Sequence, residues 1–488
     1  MTGNLTAVSV TSLVVLVVVV IGFMVGRDKK TRSSVEEWSL GGRRLGALFV
    51  WFLVGADIYT AYTFLGLTST AFTSGSIAFF ATPYVVLAYP LAYFFLPRLW
   101  TVAKAHGLTT LADYVGSRFS SRPMAFLVAI TGVLMLIPYI DLQLSGIVET
   151  MEVAGTGYIN VTAIVIISFL LVAFYTFFSG LKAPTYTAII KDIMVWVIML
   201  TLVVTIPAIH FGSWANMIRV TMQRAPHMLT VPTQGPKGIL WFSTAALISA
   251  LALFMWPHTA TGVFSSRSAR GLRTNAIVLP FYNIVLMLVT FLGIAAYLVV
   301  PGAPASLAFL NLIGKSYGGF MQGLAYSTIA LASLVPCSIM AIGASNLFAN
   351  NIYRDVINPR ASGKTMTMVT RYMVFVVIGL ALILGLLFPT GLVSLQLMGV
   401  SGIVQVFPAV VFSLYWRGMS KESTLIGFLA GLITVFYVYF AHNAHGMYEG
   451  AWGLLVNIVA ILITQPFFAR SGRELKNPVV ESLFPQRR

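Results

Sequence analysis

Apolar runs long enough to cross a lipid bilayer recur along almost the whole chain. A membrane-spanning helix needs about 20 predominantly apolar residues. Only 9% of the 488 residues are charged, whereas about a quarter is usual in a soluble domain. The sequence therefore predicts an all-α membrane protein, with the lipid bilayer as a partner. It has thirteen such runs, numbered here as segments 1 to 13, at 5–26, 45–73, 76–97, 124–148, 160–178, 186–211, 238–257, 275–300, 323–350, 366–388, 390–415, 423–441 and 451–469.

Basic residues are distributed unevenly between the two sides of these segments. With the N-terminus placed outside, 25 of the 30 lysines and arginines fall in inner connections, one lies within a span, and four fall outside. Inner loops of membrane proteins carry such an excess of positive charge. The pattern predicts a multi-pass protein of the cell (inner or plasma) membrane, with an outer N-terminus and a cytoplasmic C-terminus. The net charge of +16 then reflects topology, so nucleic acid is not expected as a partner.

Several function classes lack their sequence signatures. The chain contains no GxxxxGK[ST] phosphate-binding loop, no HExxH zinc motif and no nucleophile elbow. Its single cysteine, Cys337, excludes an internal disulfide framework and a cysteine-based metal cluster. We therefore expect a transporter with no enzymatic activity, no cofactor and no resident metal. A sensor of transporter fold or a channel stays open as the alternative, and no protein partner can be inferred.

Two segments are interrupted by residues that do not suit a continuous helix. Segment 2 contains the polar run VGADIYTAYT at 54–63, and segment 7 ends in MWPHTATG at 255–262. Backbone groups freed by such breaks are tolerated in a bilayer only beside protein or a water-filled cavity. The breaks occupy equivalent places if segments 2–6 and 7–11 are inverted repeats. We expect one polytopic domain, 1–488, with repeats at 45–211 and 238–415 and peripheral parts at 1–44 and 416–488.

Short motifs along the chain resemble those of the sodium:solute symporter family. They are EWSLGGR at 37–43, GLTTLADY at 107–114 with RF at 118–119, SGLKA at 179–183, PH at 257–258 and NIYRD at 351–355. The resemblance implies a LeuT-like core of two inverted five-helix repeats. Further motifs look most like the monocarboxylate permeases: AP at 183–184, KD at 191–192, WPHT at 256–259, LVP at 334–336 and NLF at 346–348. That likeness implies import of a small organic anion, a monocarboxylate of the lactate, pyruvate, acetate or alanine class.

The chain departs from this family where a coupling sodium ion is held. The resemblance implies a site between segments 2 and 9 that uses two hydroxyl side chains and the carbonyls of Ala56, Tyr59 and Ala332. Counted without gaps from the NIYR motif, the hydroxyl positions fall on Val335 and Pro336, which offer no side-chain oxygen. A sodium ion would therefore lack part of its oxygen shell.

Two other positions bear on the same site. A register shift of one or two residues would bring Cys337 or Ser338 to the hydroxyl positions, so a rearranged sodium site stays open as an alternative. The family's Thr-Asp pair at the start of segment 6 is Thr187–Ala188 here, so a nearby carboxylate is missing as well. Lys191 follows three residues after Ala188, on nearly the same helix face.

Lys191 is the residue we expect to replace the sodium ion. It lies about seven residues inside segment 6, roughly 10 Å into the bilayer at 1.5 Å per residue. A buried ammonium is costly in hydrocarbon and marks an ion path, and a lysine amine can lose and regain a proton. H⁺ is therefore the expected coupling ion and Na⁺ the alternative. The amine is expected near the carbonyls of Ala56 and Tyr59 in segment 2 and of Ala332 and Val335 in segment 9.

Other interpretations of Lys191 remain open from the sequence. Its four-carbon stem could carry the charge back to the cytoplasmic surface, as lysines near helix ends do. Facilitated exchange without ion coupling is also compatible with a transporter. Asp192 is turned about 100° from Lys191 on a helix, so the two need not pair.

Further polar and aromatic residues lie in segments 2, 4 and 7. Carboxyl groups inside a membrane are functional candidates, so we expect Asp57 and Asp141 to take part in ion coupling; a helix-linking hydrogen bond is the alternative for each. Half-helix N-termini at the breaks can attract a substrate carboxylate. We expect a central site between segments 2, 4, 7 and 9, with substrate bound through Thr60, Thr63, Tyr139, Trp256, His258 and Thr259. Packing alone is the alternative for the aromatic residues.

Overall fold

The computed structural model describes residues 4–27, 34–388, 392–441, 445–468 and 477–485. Within these ranges every regular element is helical, apart from an isolated bridge between Leu45 and Ser266. The all-α prediction is thus confirmed. Outside the described residues lie the predicted start of segment 11 at 390, the predicted end of segment 13 at 469, and eight basic residues of the predicted inner side: Lys29, Lys30, Arg32, Arg470, Arg473, Lys476, Arg487 and Arg488.

The long helices of the described ranges agree with the predicted segments. Eleven are long and apolar enough to cross a membrane: Leu5–Gly26, Tyr62–Ala105, Arg122–Gly155, Val161–Ser179, Lys182–Phe211, Ala269–Val299, Gly319–Ile357, Gly363–Leu387, Val393–Tyr415, Lys421–Phe440 and Glu449–Phe468. A bent pair, Ile239–Ala252 and Pro257–Ser265, forms a further span. The run Tyr62–Ala105 is itself broken at Gly75, where φ is +56°. Segments 2 and 3 are therefore separate, which gives thirteen segments within the described ranges.

Segment 2 stops being helical in its polar run. Helix Ala47–Ala56 ends there, and the chain becomes helical again at Tyr62–Gly66, a π-helical turn that leads into Leu67–Ser74. A backbone carbonyl just before such a break lacks its usual helical hydrogen bond, because no N–H group is in place one turn later. The break therefore presents backbone oxygens inside the protein, as the sequence predicts.

Side chains stabilise this break by bonding to the local backbone, which short hydroxyl side chains do readily. Thr60 Oγ1 accepts from the backbone N–H two residues on at 3.1 Å, and Thr63 Oγ1 donates to the Ile58 carbonyl. Gln143 of segment 4 supplies another bond, because its Oε1 accepts from the Ala61 N–H at 2.8 Å. These contacts fix the interrupted backbone against segment 4.

Segment 7 bends by 44° between helices Ile239–Ala252 and Pro257–Ser265. Proline suits the first position of a helix, because its missing N–H would have no partner there. Segment 9 packs closely against the second half-helix at Gly343, where a Cβ atom would lie 2.9 Å from the backbone nitrogen of His258. Only glycine permits that approach, which holds the start of the half-helix at the centre of the bundle.

Segment 9, Gly319–Ile357, is the central helix, and its apolar length is fully buried. It packs against segments 1, 4, 6, 7 and 10. Its sequence is rich in alanine, glycine and serine, and such small residues let membrane helices approach closely. Segments 12 and 13 pack against each other.

Shorter helices lie between the spans, at Val35–Leu40, Leu111–Phe119, Trp214–Arg224 and Ala308–Ser316, with Pro478–Leu483 after the last span. Leu111–Phe119 begins with a capping box between Thr110 and Asp113. The Asp113 carboxylate also accepts from Asn351 at 2.7 Å, and Arg118 donates to the carbonyls of Ser413, Trp416 and Arg417. The motifs at 107–119 and 351–355 thus join the ends of segments 3, 9 and 11.

Candidate functional site

The Lys191 side chain is completely buried and points into the break of segment 2. Its Nζ donates to the carbonyl oxygens of Ala56 at 3.3 Å and Tyr59 at 3.1 Å. The Nζ atom also forms an ion pair with Asp192 Oδ1 at 2.8 Å. Two backbone carbonyls and one carboxylate therefore surround the ammonium group. The geometry excludes the alternative that Lys191 extends to the membrane surface.

Asp192 pairs with Lys191, which corrects the expectation that the two need not meet. The angle of about 100° between successive residues describes Cα–Cβ directions, but the lysine stem is long enough to turn its ammonium back to its neighbour. Tyr282 of segment 8 completes the arrangement by donating to Asp192 Oδ2 at 2.6 Å. Tyr59 in turn donates to the Tyr282 carbonyl at 3.0 Å. Segments 2, 6 and 8 therefore share one buried polar network.

Gly55 makes room for this network. A Cβ atom at that position would lie 2.2 Å from the ring of Tyr282, well inside van der Waals contact. The tyrosine can reach Asp192 only because this position of segment 2 has no side chain. The sequence did not lead to Gly55, Asp192 or Tyr282 as site residues. It did contain two signals: Gly55 lies in a polar run, and Asp192 is an acidic residue next to Lys191.

The segment 9 residues predicted to lie near the ammonium do not bond to it. Among the described residues, no hydrogen bond joins Lys191 to Ala332 or Val335. The side chains that a register shift would bring to the ion are engaged elsewhere: Ser338 Oγ bonds to Thr176 of segment 5 at 2.7 Å, and Cys337 Sγ faces the Ile140 carbonyl at 3.9 Å. The ammonium is held by segments 2 and 6.

A cavity of about 40 Å³ lies beside this network and is lined mainly by aromatic side chains. Three rings form its centre: the Tyr139 centroid lies 5.4 Å from that of Trp256 and 5.8 Å from that of His258, and the last two are 5.8 Å apart. Segments 4 and 7 are thus brought together at the bend of segment 7. The remaining lining residues are Asp57, Tyr62, Phe80, Tyr84, Ser249, Leu253, Gln396, Leu397 and Val400.

Three of the predicted substrate residues do not line this cavity. Thr60 and Thr63 direct their hydroxyl groups to the backbone of the segment 2 break, which is a structural role that spacing could not reveal. Thr259 is fully buried, and its hydroxyl lies beside the Asp57 carboxyl group. Tyr139, Trp256 and His258 are the predicted substrate residues that the structure brings to the cavity.

The two candidate carboxyl groups occupy different environments. Asp57 lies in the segment 2 break, lines the cavity, has the Thr259 hydroxyl beside its carboxyl group and is close enough to Lys191 to feel its charge. Asp141 packs its carboxyl group against Gly385 of segment 10, where a Cβ atom would lie 2.3 Å from Oδ1. Asp141 therefore lies apart from Lys191, and its part in ion coupling stays a prediction.

Two glutamines near the cavity were missed. Gln143 binds the segment 2 break through Oε1, while its Nε2 is buried without a hydrogen-bond partner. Gln396 of segment 11 lines the cavity, and its Oε1 is likewise unpartnered. An amide side chain inside an apolar span is costly without hydrogen bonds. A glutamine within a predicted span was therefore a signal that the sequence offered.

Broken helices that meet near the middle of a bundle, beside buried charge and a small cavity, define a secondary transporter of LeuT-like architecture. The chain belongs to the sodium:solute symporter family, whose model matches residues 38–431. No group of three or more His, Cys, Asp or Glu side chains in the described part of the chain is arranged to hold a metal ion.

Relatives and solved structures agree with this assignment. The chain is 65% identical over 485 residues to the uncharacterized symporter YodF of Bacillus subtilis (strain 168), covering 99% of this chain and 97% of the relative. It is 36% identical over 442 residues to the monocarboxylate transport permease protein of Rhizobium johnstonii, covering 88% and 87%. The structure of a Na⁺-coupled sialic acid symporter has the same fold, with a TM-score of 0.79 and 16% identity over 96% of this chain and 99% of that one.

Proposed function

We propose that this protein imports a small monocarboxylate by alternating access and couples the import to protons, with the Lys191 ammonium in the place of a sodium ion. The observation that carries the coupling proposal is the position of Nζ, within 3.3 Å of two backbone oxygens at the segment 2 break. Backbone carbonyls at broken helices are the groups that bind coupling cations in such folds. An ammonium there satisfies the same oxygens without a metal.

Residues of segment 9 also support the replacement of a sodium ion by the Lys191 ammonium. Val335 and Pro336 are buried and supply no side-chain oxygen, and Ser338 is already bonded to Thr176. A sodium ion at Ala56 and Tyr59 would thus lack ligands that hard cations require. The Lys191 ammonium bonds to the segment 2 carbonyls from its place in segment 6, so its charge provides a physical link between the two segments and the movement of the helices.

The cavity supports a small substrate. Its walls are aromatic, and Tyr139, Trp256 and His258 leave about 40 Å³, room for only a few water molecules. Helix Pro257–Ser265 begins at the same place, and helix N-termini favour anions. A monocarboxylate of a few carbon atoms, admitted by a modest opening of segments 2 and 7, suits this space. The relative from Rhizobium johnstonii, called a monocarboxylate transport permease, agrees with that class.

Uptake into proteoliposomes tests the proposal. Acetate, propionate, lactate, pyruvate and alanine would be offered to the purified protein with a proton gradient and a sodium gradient imposed separately. We expect accumulation when the outside is more acidic, and no change when sodium is replaced by choline. A strict requirement for sodium would contradict proton coupling, and failure of every compound in the panel would contradict the substrate class.

Substitution of His258 tests the assignment of the cavity. His258→Ala removes a ring that can donate to a carboxylate, and a hydrogen bond to a charged group contributes about 1.5–3 kcal/mol. We therefore expect the concentration for half-maximal uptake to rise roughly tenfold or more, with folding unchanged in size-exclusion chromatography. His106→Ala is the control, because that histidine bonds to Ser482 away from the cavity. Wild-type uptake by His258→Ala would exclude this cavity as the substrate site.

A further inference from the structure

The buried polar cluster contains one cation and two carboxyl groups. Lys191 forms an ion pair with Asp192 at 2.8 Å, and Tyr282 donates to the other oxygen of that carboxylate. Asp57 lies nearby and is buried, with the Thr259 hydroxyl beside its carboxyl group, and it forms no ion pair with a described residue. One ammonium cannot neutralise two carboxylates, and an unpaired buried charge is strongly unfavourable. The cluster is therefore electrically neutral only when one proton is bound, and Asp57 is the carboxyl group that can carry it.

Asp57 also lies in the wall of the cavity, where a substrate would contact it. The charged and titratable groups around it are Lys191 and Asp192 from segment 6, Tyr89 from segment 3, Tyr139 from segment 4 and His258 from segment 7. No lysine or arginine lines the described cavity. A substrate carboxylate that enters it would meet an ionised Asp57 as a like charge.

We propose that Asp57 is the residue at which the transported proton meets the substrate: its protonated carboxyl group donates a hydrogen bond to the carboxylate of the bound monocarboxylate. This inference rests on the proposed function and deepens it. The proton binds Asp57 from the outer solution, is shared with the substrate in the closed state, and leaves to the inner solution with it. No covalent bond changes other than the O–H bond of the carboxyl group.

Lys191 and Asp57 thus have different roles within one cluster. Lys191 joins segments 2 and 6 and governs which side is open, whereas Asp57 governs whether an anion can be bound. The two act on each other through proximity, because the ammonium lies in the field of both carboxyl groups. Variants of the two residues should therefore change different measurements.

Equilibrium binding of propionate between pH 5.5 and 8.0 tests this role, measured on the purified full-length protein by isothermal titration calorimetry. In the wild type, affinity should fall about tenfold per pH unit once Asp57 loses its proton, as expected when one proton must bind with the ligand. Asp57→Asn keeps a hydrogen-bond donor that does not titrate, so its affinity should stay constant across this range. Asp57→Glu restores a titratable group and should restore the slope.

Asp141→Asn is the matched control, because Asp141 is an equally buried carboxyl group that packs on Gly385 outside the cavity; it should keep the wild-type slope. A wild-type slope in Asp57→Asn would overturn the proposal and assign the proton to another group, with His258 the nearest candidate. Loss of binding by Asp57→Asn at every pH, with an unchanged melting temperature, would also overturn it. So would an affinity for propionate that increases with pH, because the anion would then bind better to the ionised carboxyl group than to the protonated one.

Failure of the proposed function would give results that differ from failure of the Asp57 proposal. If the wild type binds no monocarboxylate at any pH, both the substrate class and the role of Asp57 are refuted. If binding follows the expected slopes but Lys191→Ala still accumulates substrate on a pH gradient, Asp57 keeps its role and only the coupling role of Lys191 is lost.

Discussion

Lys191→Ala is expected to abolish accumulation of a monocarboxylate driven by a pH gradient, while slow exchange of substrate across the membrane persists. The variant removes the ammonium that bonds to Ala56 and Tyr59, so protonation can no longer hold segment 2 against segment 6. A difference of one pH unit should support about tenfold accumulation in the wild type at one proton per substrate. The variant should reach only about the outside concentration. Uptake and counterflow in proteoliposomes measure the two quantities.

The control for this experiment must account for Asp192. Lys191→Ala alone leaves a buried carboxylate without its counter-charge, which could unfold the protein rather than uncouple it. The double variant Lys191→Ala, Asp192→Asn removes both charges and should show the same loss of accumulation with better stability. Normal pH-driven accumulation by either variant would contradict the role of Lys191 in coupling.

Asp192→Asn is expected to destabilise the protein strongly. It leaves the fully buried Lys191 ammonium without an anionic partner, and breaking a buried ion pair from one side typically costs about 3–5 kcal/mol. Thermal unfolding in detergent should show a clearly lower midpoint. Replacing both partners by neutral groups of similar size is often close to neutral, so the double variant Lys191→Met, Asp192→Asn should recover most of the loss.

Tyr282→Phe provides the matched comparison. It deletes one hydrogen bond to Asp192 and keeps both charges and the ring packed on Gly55. A hydrogen bond to a charged group is expected to contribute about 1.5–3 kcal/mol, so the midpoint should fall less than in Asp192→Asn. Equal stability of the wild type and Asp192→Asn would show that the pair is not charged in the folded protein.

The residues that carry the family resemblance and the residues that form the site are largely different. Asp113, Asn351 and Arg118 belong to the motifs, and the structure places them where one end of the bundle is held together. Lys191 and the buried Val335–Pro336 pair lie outside these motifs, and the proposed proton coupling depends on them.

The sequence alone determined the membrane-spanning segments, the two helix breaks and the position of a lysine within a span. These features follow from local composition: apolar length decides what can cross a bilayer, and Pro257 and the polar run after Ala56 decide where a helix stops. Tyr139, Trp256 and His258 were also predicted as substrate residues, and the structure brings them to one cavity, Trp256 and His258 from the segment 7 break and Tyr139 from segment 4.

Only the tertiary structure decided how these residues are partnered. Lys191 turns to Asp192, Tyr282 reaches that carboxylate past Gly55, and Asp141 packs on segment 10 instead of joining them. Thr60 and Thr63 bond to the broken backbone rather than to a cavity. Helical spacing gives the direction of each Cβ atom, but a partner is chosen by side-chain reach and by contacts between segments far apart in the chain. Those distances are set by packing of the whole bundle, which no single stretch of sequence contains.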